Sequence, residues 1–158
     1  MCRGQLEGLS MFEISAFLVF AFILLQAVEV QGQDKNKDDT DNLAGVWKCV
    51  SGINDGKPLP EDIVKQLKLT LTKDKYKTEK GAVVLFDGLY KIDSGQKPKD
   101  IDIIAPEGEQ AGSTSKGIYA IEGDMLKMCY AASGKDRPKD FESKPGSAAT
   151  LVVWKREK

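Results

Sequence analysis

Three groups of side chains have types and spacings that could carry chemistry: the cysteines Cys49 and Cys129, several close-set aspartates, and aromatics placed along alternating apolar runs. No histidine can assist any of them, because the 158 residues contain none. That removes the commonest general base near neutral pH and the commonest transition-metal ligand. Ser-His-Asp and Cys-His nucleophiles are excluded with it, as are His-containing zinc sites.

A thiol nucleophile needs a base or a cationic neighbour to ionise it, and the sequence offers no histidine for Cys49 or Cys129. A disulfide is the other use of two thiols, in an oxidising compartment. Strand parity places Cys49 on the face of Trp47 and Cys129 on the face of Lys127. Sulfurs of opposite parity point to opposite sides of a sheet and meet only if a bulge flips one of them. Two readings therefore stand: a disulfide formed through a bulge, or one buried thiol and one surface thiol.

Among the carboxylates, Asp100 and Asp102 share a strand parity, and Asp34, Asp38, Asp39 and Asp41 crowd one polar stretch. Paired carboxylates can do acid–base work or hold Ca²⁺, but no D-x-[DN]-x-[DN]-G loop is present, so these read as solvated surface charge. No G-x-G-x-x-G or G-x-x-x-x-G-K-[ST] pattern occurs to cradle a nucleotide. The residues thus predict no catalytic centre, no cofactor and no metal site, and the chain reads as non-enzymatic. The 23 Lys+Arg and 24 Asp+Glu are interspersed without a basic stripe, which argues against nucleic acid as a partner.

The elements that must carry these residues begin after a leader. Residues 14–25, ISAFLVFAFILL, have the length of a signal-peptide apolar core and fall short of a spanning helix, which needs about 20 residues. Small residues allow cleavage after Gly32, or alternatively after Ala27. An uncleaved leader would instead anchor the chain to a membrane. Residues 1–32 are therefore read as a signal peptide and the protein as exported, periplasmic or extracellular. Residues 33–42, QDKNKDDTDN, contain no apolar side chain and read as a disordered polar linker. Residues 43–158 remain as one domain.

Within that domain, short strand patterns alternate with turn signals every 8–12 residues. Residues 44–53 form a first strand ended by Asn54-Asp55-Gly56, and residues 60–66 form one short helix with Pro60 at its start. Further strands are predicted over 67–72, 75–79, 82–86, 89–93, 101–105, 117–122, 125–131 and 150–155. Asp87-Gly88 marks a turn or bulge, and residues 133–147 form a long loop that could cover a barrel mouth or simply pack. About eight strands joined by tight turns predict an all-β, antiparallel up-and-down barrel with a short helix after its first strand.

Charged neighbours assign the faces. Lys48 turns Trp47 and Cys49 inward, Lys91 and Asp93 turn Tyr90 and Ile92 inward, and Lys127 turns Leu126, Met128 and Tyr130 inward. The closing strand is apolar on both faces, so parity does not decide there. Trp47, Leu69, Leu71, Tyr90, Tyr119, Ile121, Met128 and Tyr130 form a large inner set that either fills the barrel or lines a cavity.

Two resemblances rest on these residues. Gly45-Val46-Trp47 at the head of the first strand resembles the G-x-W signature of lipocalins, in which the Trp plugs the barrel base, often under a basic side chain of the last strand. Lys155 or Arg156 would supply that cation. More extensively, Gly45-x-Trp47-Lys48, Asp55-Gly56-Lys57-Pro58-Leu59-Pro60, Lys97-Pro98-Lys99-x-Ile101-Asp102, Gly117-Ile118-Tyr119, Gly123-Asp124-x-Leu126-Lys127-x-Cys129-Tyr130, Arg137-Pro138-x-x-Phe141, Ser143-Lys144-Pro145-Gly146-Ser147 and Leu151-Val152-Val153-x-Lys155-Arg156 occur in that order. Together they look like the planctomycete-type lipocalin-like domain of exported bacterial proteins. The resemblance implies a lipocalin-like fold and export and brings no catalytic residue. Trp154 departs from it, standing where an aliphatic residue is usual.

Two functions follow as expectations. One is binding of a small hydrophobic or amphipathic ligand in the barrel mouth, with the eight inner residues as its lining. The other is a solid-core protein-interaction module, an envelope scaffold or an enzyme inhibitor, whose interior holds no cavity.

Overall fold

The computed structural model describes residues 32–105 and 112–158, so the expected leader, apart from Gly32, lies outside the described residues. The described part opens with helix α1 (Gly32–Leu43), followed by strands β1 (Gly45–Asn54) and β2 (Lys57–Pro58) and by a single-turn helix, α2 (Glu61–Val64). Seven strands complete the chain: β3 (Leu67–Leu71), β4 (Lys75–Lys80), β5 (Val83–Asp93), β6 (Lys99–Ile104), β7 (Thr114–Glu122), β8 (Met125–Ala131) and β9 (Ala149–Arg156).

Strands β3 to β9 pair antiparallel in sequence order. β1 closes the sheet by pairing with both β3 and β9, Trp47 lying opposite Leu69 on one side and Arg156 on the other. The result is the expected closed, eight-stranded antiparallel barrel, with β2 a two-residue extension beside the far end of β1. Closure leaves the eight barrel strands without a free edge.

Alternation explains the interior. Leu67, Leu69 and Leu71 of β3 are buried while Lys68 and Thr70 are not, and the same period places Tyr90, Ile101, Ile103, Tyr119, Leu126 and Met128 in one core. On β9 the structure decides what parity could not. Val152 and Trp154 join that core, and Leu151 packs outside it.

Three expectations are corrected. The polar stretch 33–42, expected as a disordered linker, is helical within α1. Its composition supplies no apolar face, but tertiary partners replace one. Leu43 is fully buried, Asp39 Oδ2 accepts hydrogen bonds from Lys99 Nζ (2.6 Å) and Tyr119 Oη (2.7 Å), and Arg156 donates to the carbonyls of Asn42 and Ala44. A guanidinium at the last carbonyls of a helix both satisfies them and complements the helix dipole.

The second correction is at Asp87-Gly88, expected as a turn or bulge, where β5 runs straight through. The irregularity falls two residues earlier. Thr78 pairs with Phe86 and Glu79 with Val84, so Leu85 is the extra residue. Gly88 is needed for closeness, since a Cβ there would stand 2.5 Å from the Ile104 carbonyl oxygen and 2.6 Å from the Phe86 ring.

The third concerns the outer wall. Of the two uses expected for the loop 133–147, covering a mouth or packing, Phe141 shows packing: it lies on the outside of the sheet against Ile118, Cys129 and Ala149. Cys129, expected as a surface thiol, is thereby fully buried. Arg137 fastens this loop. Its Nη1 donates to the Gly117 carbonyl (2.6 Å), Nε pairs with Asp100 (3.1 Å) and Nη2 with Asp102 (2.8 Å). The paired aspartates thus hold a loop to the barrel wall. Burial raises the Asp100 carboxyl above its ordinary value, an effect the Arg137 charge partly opposes.

Candidate functional site: an apolar cavity at one end of the barrel

The two ends of the barrel are built from different side chains. At the end reached by the start of β1 and the end of β9, Trp47 is fully buried and its Nε1 donates to the Leu43 carbonyl at 3.0 Å. The Arg156 guanidinium lies 4.1 Å from the Trp47 ring centroid, a cation–π contact. Period two on β9 selects Arg156 over Lys155: Trp154 and Arg156 share one face, and Lys155 is exposed. α1 lies over this end, and Leu69, Leu71, Tyr90, Tyr119 and Met128 fill the space behind Trp47. The phenol of Tyr90 donates to the Thr72 carbonyl at 2.7 Å. Burial pushes that phenol up to about 12, and burial together with the hydrogen bond to Asp39 raises Tyr119 as well.

At the other end a cavity of about 340 Å³ opens, near the lower limit of volumes typical for small-molecule sites. Leu59 and Ile63, from α2 and the segment leading into it, form one side of its mouth, and Leu85 the other. Its walls are Leu67, Tyr76, Phe86, Ile103, Val152 and Trp154. Thr78, Ser115, Tyr130 and Thr150 bring the polar atoms. The space exists because several of these wall positions carry small side chains where the closed end carries leucine, tyrosine and methionine. Short Thr78 and Ser115 leave room that the Tyr76 and Phe86 rings, packed edge to face with centroids 5.7 Å apart, do not fill.

The electrostatics of the cavity are those of a neutral box. None of its described lining residues carries a charge. The Tyr76 and Tyr130 phenols are in hydrogen-bonding contact, and burial raises both above their ordinary value, that of Tyr130 strongly, so both keep their protons. Trp154 is 2% exposed, and its indole Nε1 is buried without a hydrogen-bond partner.

The structure places the eight sequence-derived lining residues as follows. Tyr130 lines the cavity. Trp47, Leu69, Leu71, Tyr90, Tyr119 and Met128 belong to the filled core, and Ile121 packs against it from a partly buried position. Parity put them inside the barrel but could not say at which height. Trp154, Tyr76, Phe86, Thr78 and Ser115 were missed as lining. The signal that could have found them is a local drop in size along the inward positions of β4 and β7.

Among the described residues no group of three or more potential metal ligands converges. Cys49 and Cys129 are free, Cys49 on the inner side and Cys129 on the outer wall. Burial pushes the Cys49 thiol up to about 11 and raises Cys129 as well, which holds both as inert thiols near neutral pH. No helix among the described residues is long and apolar enough to cross a membrane. Comparisons with protein-family models, with curated proteins and with solved structures find no match to this chain.

Proposed function

We propose that this chain is an exported, non-catalytic lipocalin-like barrel that takes up a small hydrophobic or amphipathic ligand at its open end. The cavity carries the reading. It is a half-open apolar recess of about 340 Å³ lined by aromatic rings with a few polar atoms, which is the size and character of a small-molecule site. The opposite end is filled by the Trp47–Arg156–α1 assembly, which leaves the cavity end for entry.

The alternative, an interaction module with a solid core, has one observation in its favour. Val83, Val84 and Leu85 at the tip of the β4–β5 hairpin are exposed side by side, Val83 at 63%. Leu85, however, also lines the cavity, which ties part of that patch to the mouth.

The test is a titration with N-phenyl-1-naphthylamine, a neutral dye that brightens in apolar surroundings. Its emission should rise on mixing with the protein, and Ser115→Phe, which fills the cavity, should abolish the rise while leaving the circular dichroism spectrum intact. A dye that stays dark with the unaltered protein overturns the reading and leaves the interaction module.

A further inference from the structure

Resting on that reading, we infer that the ligand is a neutral molecule carrying one hydrogen-bond acceptor on a compact apolar body, such as a ketone or an ester, and that the Trp154 indole N–H is its anchor. Two independent features of the cavity point there.

The first is the absence of charge in its described walls. An anionic head such as a carboxylate would shed its water on entering and find no lysine or arginine among the described lining residues. Burying an unpaired charge costs far more than burying an amide or hydroxyl, and such a group neutralises or stays outside. An ammonium head would likewise find no carboxylate in that lining. The two phenols that could ionise hold their protons more tightly than free tyrosine.

The second feature is Trp154 itself. An indole N–H can only donate, and this one, on a ring that lines the cavity, is itself buried with nothing to donate to. Buried donors are nearly always paired, and each exception asks for a cause. Trp47 shows that this chain can pair an indole: its Nε1 donates to Leu43 at 3.0 Å. A ligand acceptor lying against the Trp154 ring takes up the missing bond once the ring turns its buried N–H toward the cavity.

The experiment compares three competitors of similar length, 2-decanone, decanoate at pH 8 and n-decane, for displacement of N-phenyl-1-naphthylamine from the unaltered protein and from Trp154→Phe. The ketone should displace the dye best, with decanoate at least about tenfold weaker. Trp154→Phe keeps an aromatic wall and deletes the donor, so it should weaken the ketone about three- to tenfold and leave decane unchanged. Preference for decanoate, or equal changes for ketone and decane in Trp154→Phe, would overturn the inference, the second result meaning that water already pairs the N–H. Dye binding with no discrimination sinks the head-group inference alone, whereas no dye binding at all sinks the cavity reading beneath it. The unaltered protein discriminates ketone from carboxylate without any variant, so the inference stays testable if Trp154→Phe folds poorly.

Discussion

Trp47 and Trp154 are the same residue in two opposite states. Both are buried, and they stand close on paired strands, Trp154 opposite Cys49 and Trp47 opposite Arg156. Trp47 has its ring covered by a guanidinium and its N–H bonded to Leu43, and tight packing surrounds it. Trp154 has an unpaired N–H, and its ring lines the cavity. One ring closes an end of the barrel and the other finishes a wall. The difference shows that burial alone does not make an aromatic structural; satisfaction of its polar atom and completeness of its packing do.

The strongest way to break this contrast is at the closed end. Trp47→Ala should cost about 3–5 kcal/mol, because a full ring is lost from packed surroundings and the Leu43 carbonyl and Arg156 lose their partner. Urea denaturation checks it, and a loss under about 1 kcal/mol would mean that this end is not the rigid one. Next comes Arg156→Met, which removes the cation over Trp47 and the donors to Asn42 and Ala44. A loss of about 1–3 kcal/mol is expected, with faster amide exchange in α1 than elsewhere.

Alkaline pH gives a smaller, graded effect. The Cys49 thiol and the Tyr90 phenol sit in the folded state at about 11 and about 12, above their ordinary values of 9.0 and 10.0. A raised value means that the folded protein holds the proton longer than the unfolded chain. Their contribution is therefore fully present below pH 9 and fades as pH climbs through 9 to 12, with a slope of at most about 1.4 kcal/mol per pH unit for each proton. Urea midpoints measured from pH 8 to 11 should fall, and Cys49→Ala should delay the onset; a flat profile would contradict the burial of both groups.

At the open end, Trp154→Phe should change stability by less than about 1 kcal/mol, or raise it, since it deletes an unpaired buried donor and keeps most of the ring. A loss as large as that of Trp47→Ala would erase the contrast between the two ends. Smallest of all, Glu157→Gln breaks the exposed 2.7 Å pair with Lys48 and should cost no more than about 0.5 kcal/mol at physiological salt.

Much of the barrel was legible because its chemistry is local. Lys48 beside Trp47, Lys68 beside Leu69 and Lys127 beside Met128 each declare a face, and Gly123-Asp124 declares a hairpin that the structure places between β7 and β8. The missed features are contacts between residues distant in sequence. α1 exists through Asp39 with Lys99 and Tyr119, some 60 and 80 positions away. Cys129 is hidden by Phe141, a loop residue whose landing place no period announces.

The candidate site divides along the same line. Period-two alternation, which follows from the backbone geometry of a strand, fixed which side chains enter the barrel: Trp47, Leu69, Tyr119, Met128 and Tyr130 all do so. Where along the barrel axis the interior is full and where it is hollow depends on how eight strands stagger when the sheet closes. That stagger set Arg156 over Trp47 and brought Trp154, Thr78 and Ser115 from three separate strands to one cavity, and no single strand contains the information.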